Sequence, residues 1–96
     1  MAVAGEAGAP TVFALSPVAP NPVTGASTLR YALPVATRVS LTVVDALGRE
    51  VVRLVEGERG AGWHVARVPP GLSSGTYVVR LSAGTFAATQ RMAVVR

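Results

Sequence analysis

The segment Gly71-Leu72-Ser73-Ser74-Gly75-Thr76-Tyr77-Val78-Val79-Arg80-Leu81 decides the fold of this chain. It begins with turn-forming residues and then alternates, with Tyr77, Val79 and Leu81 sharing one face. A period of two residues is typical of a half-buried strand. The segment therefore predicts one strand together with the turn that leads into it.

The residues before this strand resemble a tyrosine corner. In that motif a tyrosine near the start of a strand donates its hydroxyl to a backbone group a few residues upstream. The spacing Leu72-x-x-Gly75-x-Tyr77 fits it, and Gly75 supplies a permissive backbone. The alternative is a core tyrosine whose hydroxyl is solvated.

Length and composition predict a single all-β domain. The chain has 96 residues, half of them apolar, which is enough for one core. Valine is abundant, and no apolar period of 3.6 extends beyond a few residues. The chain has no cysteine, so no disulfide contributes and thiols do not indicate a compartment.

The basic residues are nine arginines, which outnumber the five acidic residues and give a net charge of +4. They are spread one or two per predicted strand, as expected for solubility and for the protection of sheet edges. A nucleic-acid site would need a clustered basic patch. We therefore expect no nucleic-acid partner.

Turn signals divide the chain into seven predicted strands. They span residues 11–15, 26–33, 38–44, 50–55, 63–68, 76–81 and 85–95. Short strands at this spacing predict an immunoglobulin-like, seven-stranded antiparallel β-sandwich with Greek-key connections. The last strand is expected to be a sheet edge whose free end can pair with another chain.

The connections carry their own predictions. Prolines at three of six positions around Pro20-Asn21-Pro22 predict a stiff, extended crossing from one sheet to the other. Asp45-Ala46-Leu47-Gly48 predicts a type I turn closed by Gly48. Residues 56–62 are expected to form an exposed glycine-rich loop. Ala83-Gly84 predicts a type I turn with a glycine bulge, since alanine disfavours positive φ.

The sequence contains no pattern typical of a catalytic, cofactor or metal site. His64 is the one histidine, it lies within a predicted strand, and no Gly-x-Ser-x-Gly motif is present. A half-buried His64 bonded to a nearby backbone group is the favoured interpretation. One histidine without cysteine cannot form a closed zinc site. Trp63 could stack on a sugar ring, although packing over a sheet edge is the simpler interpretation.

Several valines interrupt faces that should be solvated: Val44, Val51 or Val52, Val78 and Val95. Contiguous apolar surface on a small domain often marks a docking site. The alternative is that the proline-rich crossing covers them.

The first ten residues are mostly small and show no periodicity. We expect residues 1–10 to be a flexible linker or a remnant added for expression, and residues 11–96 to be the folded domain. They lack the basic start and apolar run of a secretory signal.

The motifs taken together resemble the C-terminal sorting domain of the type IX secretion system, found on cargo proteins of Bacteroidetes and related bacteria. The resemblance rests on five features in order: Pro20-Asn21-Pro22, Asp45-x-x-Gly48-Arg49-x-Val51, Gly62-x-His64, residues 72–81 from Leu72 onward, and the tail Arg91-Met92-Ala93-Val94-Val95-Arg96. The tail has arginine where lysine is often seen in the family, which keeps the charge but changes the hydrogen-bond geometry.

The resemblance implies an immunoglobulin-like module that is not an enzyme and uses no cofactor. Such a module follows an N-terminal cargo domain, passes the periplasm, is read by an outer-membrane translocon and is commonly removed by a sortase-like protease. The cargo then stays at the cell surface or enters the medium. By this resemblance the recognition residues are Gly75, Tyr77, Val78, Val79, Arg91 and Arg96, and the structural motif residues are Pro20, Asn21, Pro22, Asp45, Gly48 and Leu72. We expect a monomer in isolation.

Two other classes of function remain open at this point. An immunoglobulin-like module of the flagellar-hook scaffold type would serve in structural assembly or cell adhesion. A carbohydrate-binding module is the third alternative.

Overall fold

The computed structural model describes residues 10–95 of the chain. The linker predicted for residues 1–10 lies outside this range except for Pro10, and so does the predicted recognition residue Arg96. Both remain predictions.

The described chain contains seven strands and no helix. The strands are β1 (Ala14–Leu15), β2 (Ser27–Leu33), β3 (Thr37–Asp45), β4 (Glu50–Arg59), β5 (Gly62–Val68), β6 (Gly75–Ala83) and β7 (Phe86–Val94). Consequently, no helix able to cross a membrane occurs in this part of the chain.

The strands form two antiparallel sheets that pack as a β-sandwich. One sheet has the order β1-β2-β5 and the other the order β4-β3-β6-β7. The chain therefore passes between the sheets after β2, after β4 and after β5. The predicted all-β class and the seven strands are confirmed, and the order is compatible with immunoglobulin-like connections. The Greek-key connection stays a prediction.

The core lies between the sheets and is formed by alternate residues of each strand. β2 contributes Leu29, Tyr31 and Leu33, β3 contributes Val39, Leu41 and Val43, and β6 contributes Tyr77, Val79 and Leu81. Each of these side chains is buried. The alternation that predicted the strands therefore also predicted which face each strand turns to the core.

The boundaries of β1 and β4 differ from their predictions. β1 has two residues instead of five, and β4 continues to Arg59, which leaves only residues 60–61 as a loop. The glycine-rich loop expected over residues 56–62 is therefore wrong. The register explains this, because residues 37–40 of β3 lie opposite residues 56–59 and extend the ladder of backbone hydrogen bonds.

The turn between β6 and β7 also differs from its prediction. Ala83 pairs with Phe86, which leaves a two-residue loop of Gly84 and Thr85. Gly84 has φ of +61°, and no described residue other than glycine has positive φ. Positive φ at the first loop position alone is the pattern of a type II′ turn. The predicted bulged turn is wrong because the turn starts one residue later, so that glycine takes the left-handed conformation.

The turn between β3 and β4 follows its prediction. Gly48 N donates to Asp45 O at 2.9 Å, and Gly48 has φ of +84°. The Asp45 carboxylate accepts hydrogen bonds from the backbone of Leu47 at 2.9 Å and of Arg49 at 3.0 Å. These bonds lower the pKa of Asp45 below its usual value, and the bond from Arg49 N has the largest effect.

Candidate functional site

The tyrosine corner positions the start of β6. The Tyr77 hydroxyl donates to Ser73 O at 2.6 Å, and the residue is 7% exposed. Leu72 is half-buried and packs against the core. The predicted corner is confirmed, because one buried side chain ties the strand to the preceding turn.

The predicted recognition residues of β6 and β7 divide between the two faces of their sheet. Tyr77 and Val79 point into the core, so a partner cannot reach their side chains in the folded domain. Val78 points to the outer face, where it lies opposite Arg91 of β7. Gly75 and Arg91 are exposed. The folded domain therefore presents Gly75, Val78 and Arg91, whereas Tyr77 and Val79 serve the core.

Charge is distributed unevenly over the outer face of the four-stranded sheet. On the β3 and β4 side, Arg53 pairs with Glu50 at 2.8 Å and with Glu56 at 2.9 Å, and Arg38 pairs with Glu56 at 3.1 Å. The hydrogen bond from Arg53 lowers the pKa of Glu50. On the β6 and β7 side, Arg80 and Arg91 form no ion pair with any residue between 10 and 95. The β6 and β7 side is thus the cationic part of this face.

The segment Pro20-Asn21-Pro22 closes the outer edge of β7. Asn21 Nδ2 donates to Arg91 O at 3.3 Å, and Asn21 Oδ1 accepts from Ala93 N at 3.1 Å. The side-chain amide thus takes the place of a peptide group in a neighbouring strand. Ser27 Oγ in turn donates to Pro20 O at 2.7 Å and fixes the segment to β2.

Val23 continues this edge contact. Val23 N donates to Ala93 O at 2.7 Å, and Val95 N donates to Val23 O at 2.9 Å, in a parallel bridge. β7 is an edge strand, as predicted. The prediction that its end is free to pair with another chain is wrong, because residues 91–95 already have these partners.

The path of the proline-rich segment also differs from its prediction. β1 and β2 lie in the same sheet, so the segment does not transfer the chain from one sheet to the other. It leaves β1, bridges β2 at Ala19, reaches β7 at Val23 and returns to its own sheet.

His64 serves a structural role. It is half-buried, its Nε2 lies 2.8 Å from Gly60 O, and its ring stacks on Tyr31 at 5.0 Å. Burial raises the pKa of Tyr31, and the nearby Arg59 partly offsets that shift. Among residues 10–95 no group of three potential ligands is placed to hold a metal ion. The arrangement matches the favoured interpretation of a histidine bonded to backbone.

Trp63 packs over the outer face of the three-stranded sheet. It lies opposite Ala32, which is fully buried, and the Arg30 guanidinium is 4.7 Å from the centre of its ring. Trp63 as a whole is 38% exposed. The Arg30 guanidinium therefore covers part of the Trp63 ring. This contact agrees with the interpretation that Trp63 packs over the sheet.

The outward valines do not form one surface. Val44 is only 5% exposed and lies between Glu50 and Val78 in the register, while Val52 packs against the core. Val51 and Val95 are exposed at 41% and 49%. The proline-rich segment contacts β2 and β7, so it is not what buries Val44 in the interior of the other sheet.

The fold and these motifs define the class as a β-sandwich module built around a tyrosine corner and a clamped last strand. The profile of the secretion system C-terminal sorting domain family matches residues 17–95. The chain belongs to this family of type IX secretion sorting domains. No curated protein and no solved structure matched the chain.

Membership has direct consequences for function. The domain is a C-terminal sorting signal for type IX secretion, so a cargo protein is recognised by the secretion system through it. The destination is the cell surface or the extracellular space. The family is one of sorting signals and is not an enzyme family.

Proposed function

We propose that residues 11–96 carry an N-terminal cargo domain from the periplasm through the type IX translocon of the outer membrane, where a sortase-like protease then removes the domain. The cargo is attached to the surface or released. The observation that carries this proposal is the family match over residues 17–95, with the family's motifs in order along the chain.

The geometry supports a specific surface by which the translocon recognises the domain. A translocon that accepts unrelated cargoes must contact features that every sorting domain exposes in its folded state. Val78 and Arg91 are cross-strand neighbours on the outer face of β6 and β7. Arg91 is exposed, has no ion pair within residues 10–95 and carries a positive charge that a carboxylate can bind. Gly75 and Arg96 belong to the same proposed recognition set.

A secretion assay tests the proposal. Residues 11–96 are fused to an inert periplasmic reporter and expressed in a host that has the type IX pathway. We expect the reporter at the cell surface or in the medium, and we expect Arg91→Glu to retain it in the periplasm. A parent fusion that stays in the periplasm of several competent hosts would refute the sorting role.

Arg80→Glu is the matched control variant. Arg80 lies on the same outer face of β6, opposite Thr89, and the substitution makes the same change of charge. We expect its fusion to be exported, and we expect both variants to melt at the parent temperature. Equal retention of both variants would show that export depends on overall charge, and the Val78–Arg91 surface would then be wrong.

A further inference from the structure

The edge of β5 is the least protected strand edge in the described chain. β1 has only two residues, and β4 carries two register shifts and the ion pairs of Arg53. The end of β7 is closed by Asn21 and Val23. β5 has seven residues and, among residues 10–95, a partner strand on one side only. Exposed edges of this kind are protected by bulges, short length or cover, because they accept added strands.

The backbone groups that face this edge follow from the hydrogen bonds of β2. Thr28 N donates to Ala19 O and Arg30 O accepts from Ser16 N, so the even residues of β2 turn their backbone groups away from β5. The odd residues of β2 pair with residues 62, 64, 66 and 68. In an antiparallel ladder the intervening residues of β5 then turn their N–H and C=O groups outward. These residues are Trp63, Val65 and Arg67.

The side chains of these residues form a surface that is apolar at its centre and cationic around it. Val65 is 69% exposed, which is unusual for a valine in the middle of a strand. Arg67 is exposed on one side of it, and Arg30 lies directly opposite Val65 on β2. Arg67 forms no ion pair with any residue between 10 and 95. A strand that adds here meets an aliphatic centre flanked by positive charge.

We propose that the β5 edge binds an extended acidic segment of a partner protein by strand addition. The partner segment places an aliphatic residue opposite Val65 and a carboxylate opposite Arg67. Its backbone pairs with the outward groups of Trp63, Val65 and Arg67. A second copy of this domain fits less well, because antiparallel pairing of two β5 edges would collect four arginines on one face. The proposal is independent of the sorting route, since it concerns the other sheet.

Trp63 is the one tryptophan of the chain and lies on this edge, so its fluorescence reports binding directly. The full chain is titrated with a threonine-rich heptapeptide that has Val at its centre and Glu two residues to either side. The matched peptide has Lys in place of both Glu residues. We expect the Glu peptide to bind about tenfold more tightly, a difference of about 1.4 kcal/mol in binding free energy, because one of its Glu residues faces Arg67 where the other peptide places a like charge. We also expect the difference to shrink as salt is added.

Two variants separate the backbone contribution from the charge contribution. Arg67→Glu should reverse the peptide preference. Val65→Pro removes an outward N–H that has no partner within residues 10–95, so it should abolish binding of both peptides with little change in melting temperature. Circular dichroism checks that both variants keep the β fold.

Three results would overturn the proposal. The first is equal binding of the Glu and Lys peptides, and the second is a Glu peptide that binds the Val65→Pro variant as it binds the parent. The third is a dimer of the peptide-free chain in sedimentation equilibrium that Val65→Pro converts to monomer. That dimer would identify the edge as a contact between two copies.

Discussion

Replacing Tyr77 by Phe tests the corner that fixes β6. The change removes only the hydroxyl, whose hydrogen bond to Ser73 O is 2.6 Å long, and leaves the buried ring in place. Ser73 is exposed, so water can hydrate its carbonyl after the hydroxyl is lost. We therefore expect a loss of about 1 kcal/mol in the free energy of unfolding, the usual net contribution of one hydrogen bond. Tyr77→Ala should lose about 3 to 5 kcal/mol, because it also opens a cavity.

Equilibrium unfolding in urea measures both variants. A loss of about 1 kcal/mol corresponds to a decrease of about 4 to 8 °C in melting temperature for a domain of this size. The slope of the free energy against urea should stay constant, since the Phe substitution does not alter the surface exposed on unfolding. Faster hydrogen exchange at Gly75 should accompany the loss, because the turn is no longer tied to the ring.

Tyr31→Phe is the matched control. It removes the hydroxyl of the other tyrosine in the chain, which lies beside Arg59 rather than on the turn before β6. Exchange at Gly75 should not change in this variant. A Tyr77→Phe protein as stable as the parent, with unchanged exchange at Gly75, would refute the structural role of the hydroxyl.

Two further predictions concern the turns. The pKa of Asp45 is lowered in the folded protein, so its contribution to stability is present above its unfolded pKa of about 3.9 and is lost as the pH falls through the lower folded value. Melting curves from pH 2 to 7 should therefore show Asp45→Asn closest to the parent at the lowest pH; a constant difference would contradict this. Gly84→Ala should lose about 1 to 2 kcal/mol, because φ is positive and the new Cβ would lie 3.3 Å from Thr37 Oγ1. Gly25→Ala, where no non-neighbouring atom of residues 10–95 lies within 4 Å of the new Cβ, is the control, and equal urea midpoints for the two variants would contradict the strain.

The sequence predicted the sheet faces well because burial and alternation have the same cause. Tyr77, Val79 and Leu81 alternate with Thr76, Val78 and Arg80 and are buried, and the hydroxyl of Tyr77 bonds as its spacing indicated. The extent of β4 was not predictable in this way. Residues 56–59 contain a glycine and charged side chains, a composition typical of a loop, and only the pairing with β3 shows that they continue the strand.

The hydrogen bonds between Asn21 or Val23 and the edge of β7 also could not be predicted from the sequence. Pro20-Asn21-Pro22 could be read as a stiff segment from its prolines, but the partner of Asn21 lies some 70 residues further along the chain. A clue was present, since an asparagine side chain carries the same donor and acceptor as a peptide group. The partition of Tyr77 and Val78 between core and surface, in contrast, follows directly from strand alternation.

Hydrogen bonds join Asn21 and Val23 to residues 91–95 and form a clamp on β7. This clamp changes how truncation of the last strand has to be interpreted. Removing residues 91–95 would remove the hydrogen-bond partners of Asn21 and Val23 as well as the exposed Arg91 side chain. Val94 and Met92 would leave the core at the same time. Loss of export after such a deletion would therefore report unfolding and loss of recognition together. Charge reversal at Arg91 separates them, because the clamp uses the backbone of Arg91 while its side chain lies on the outer face beside Val78.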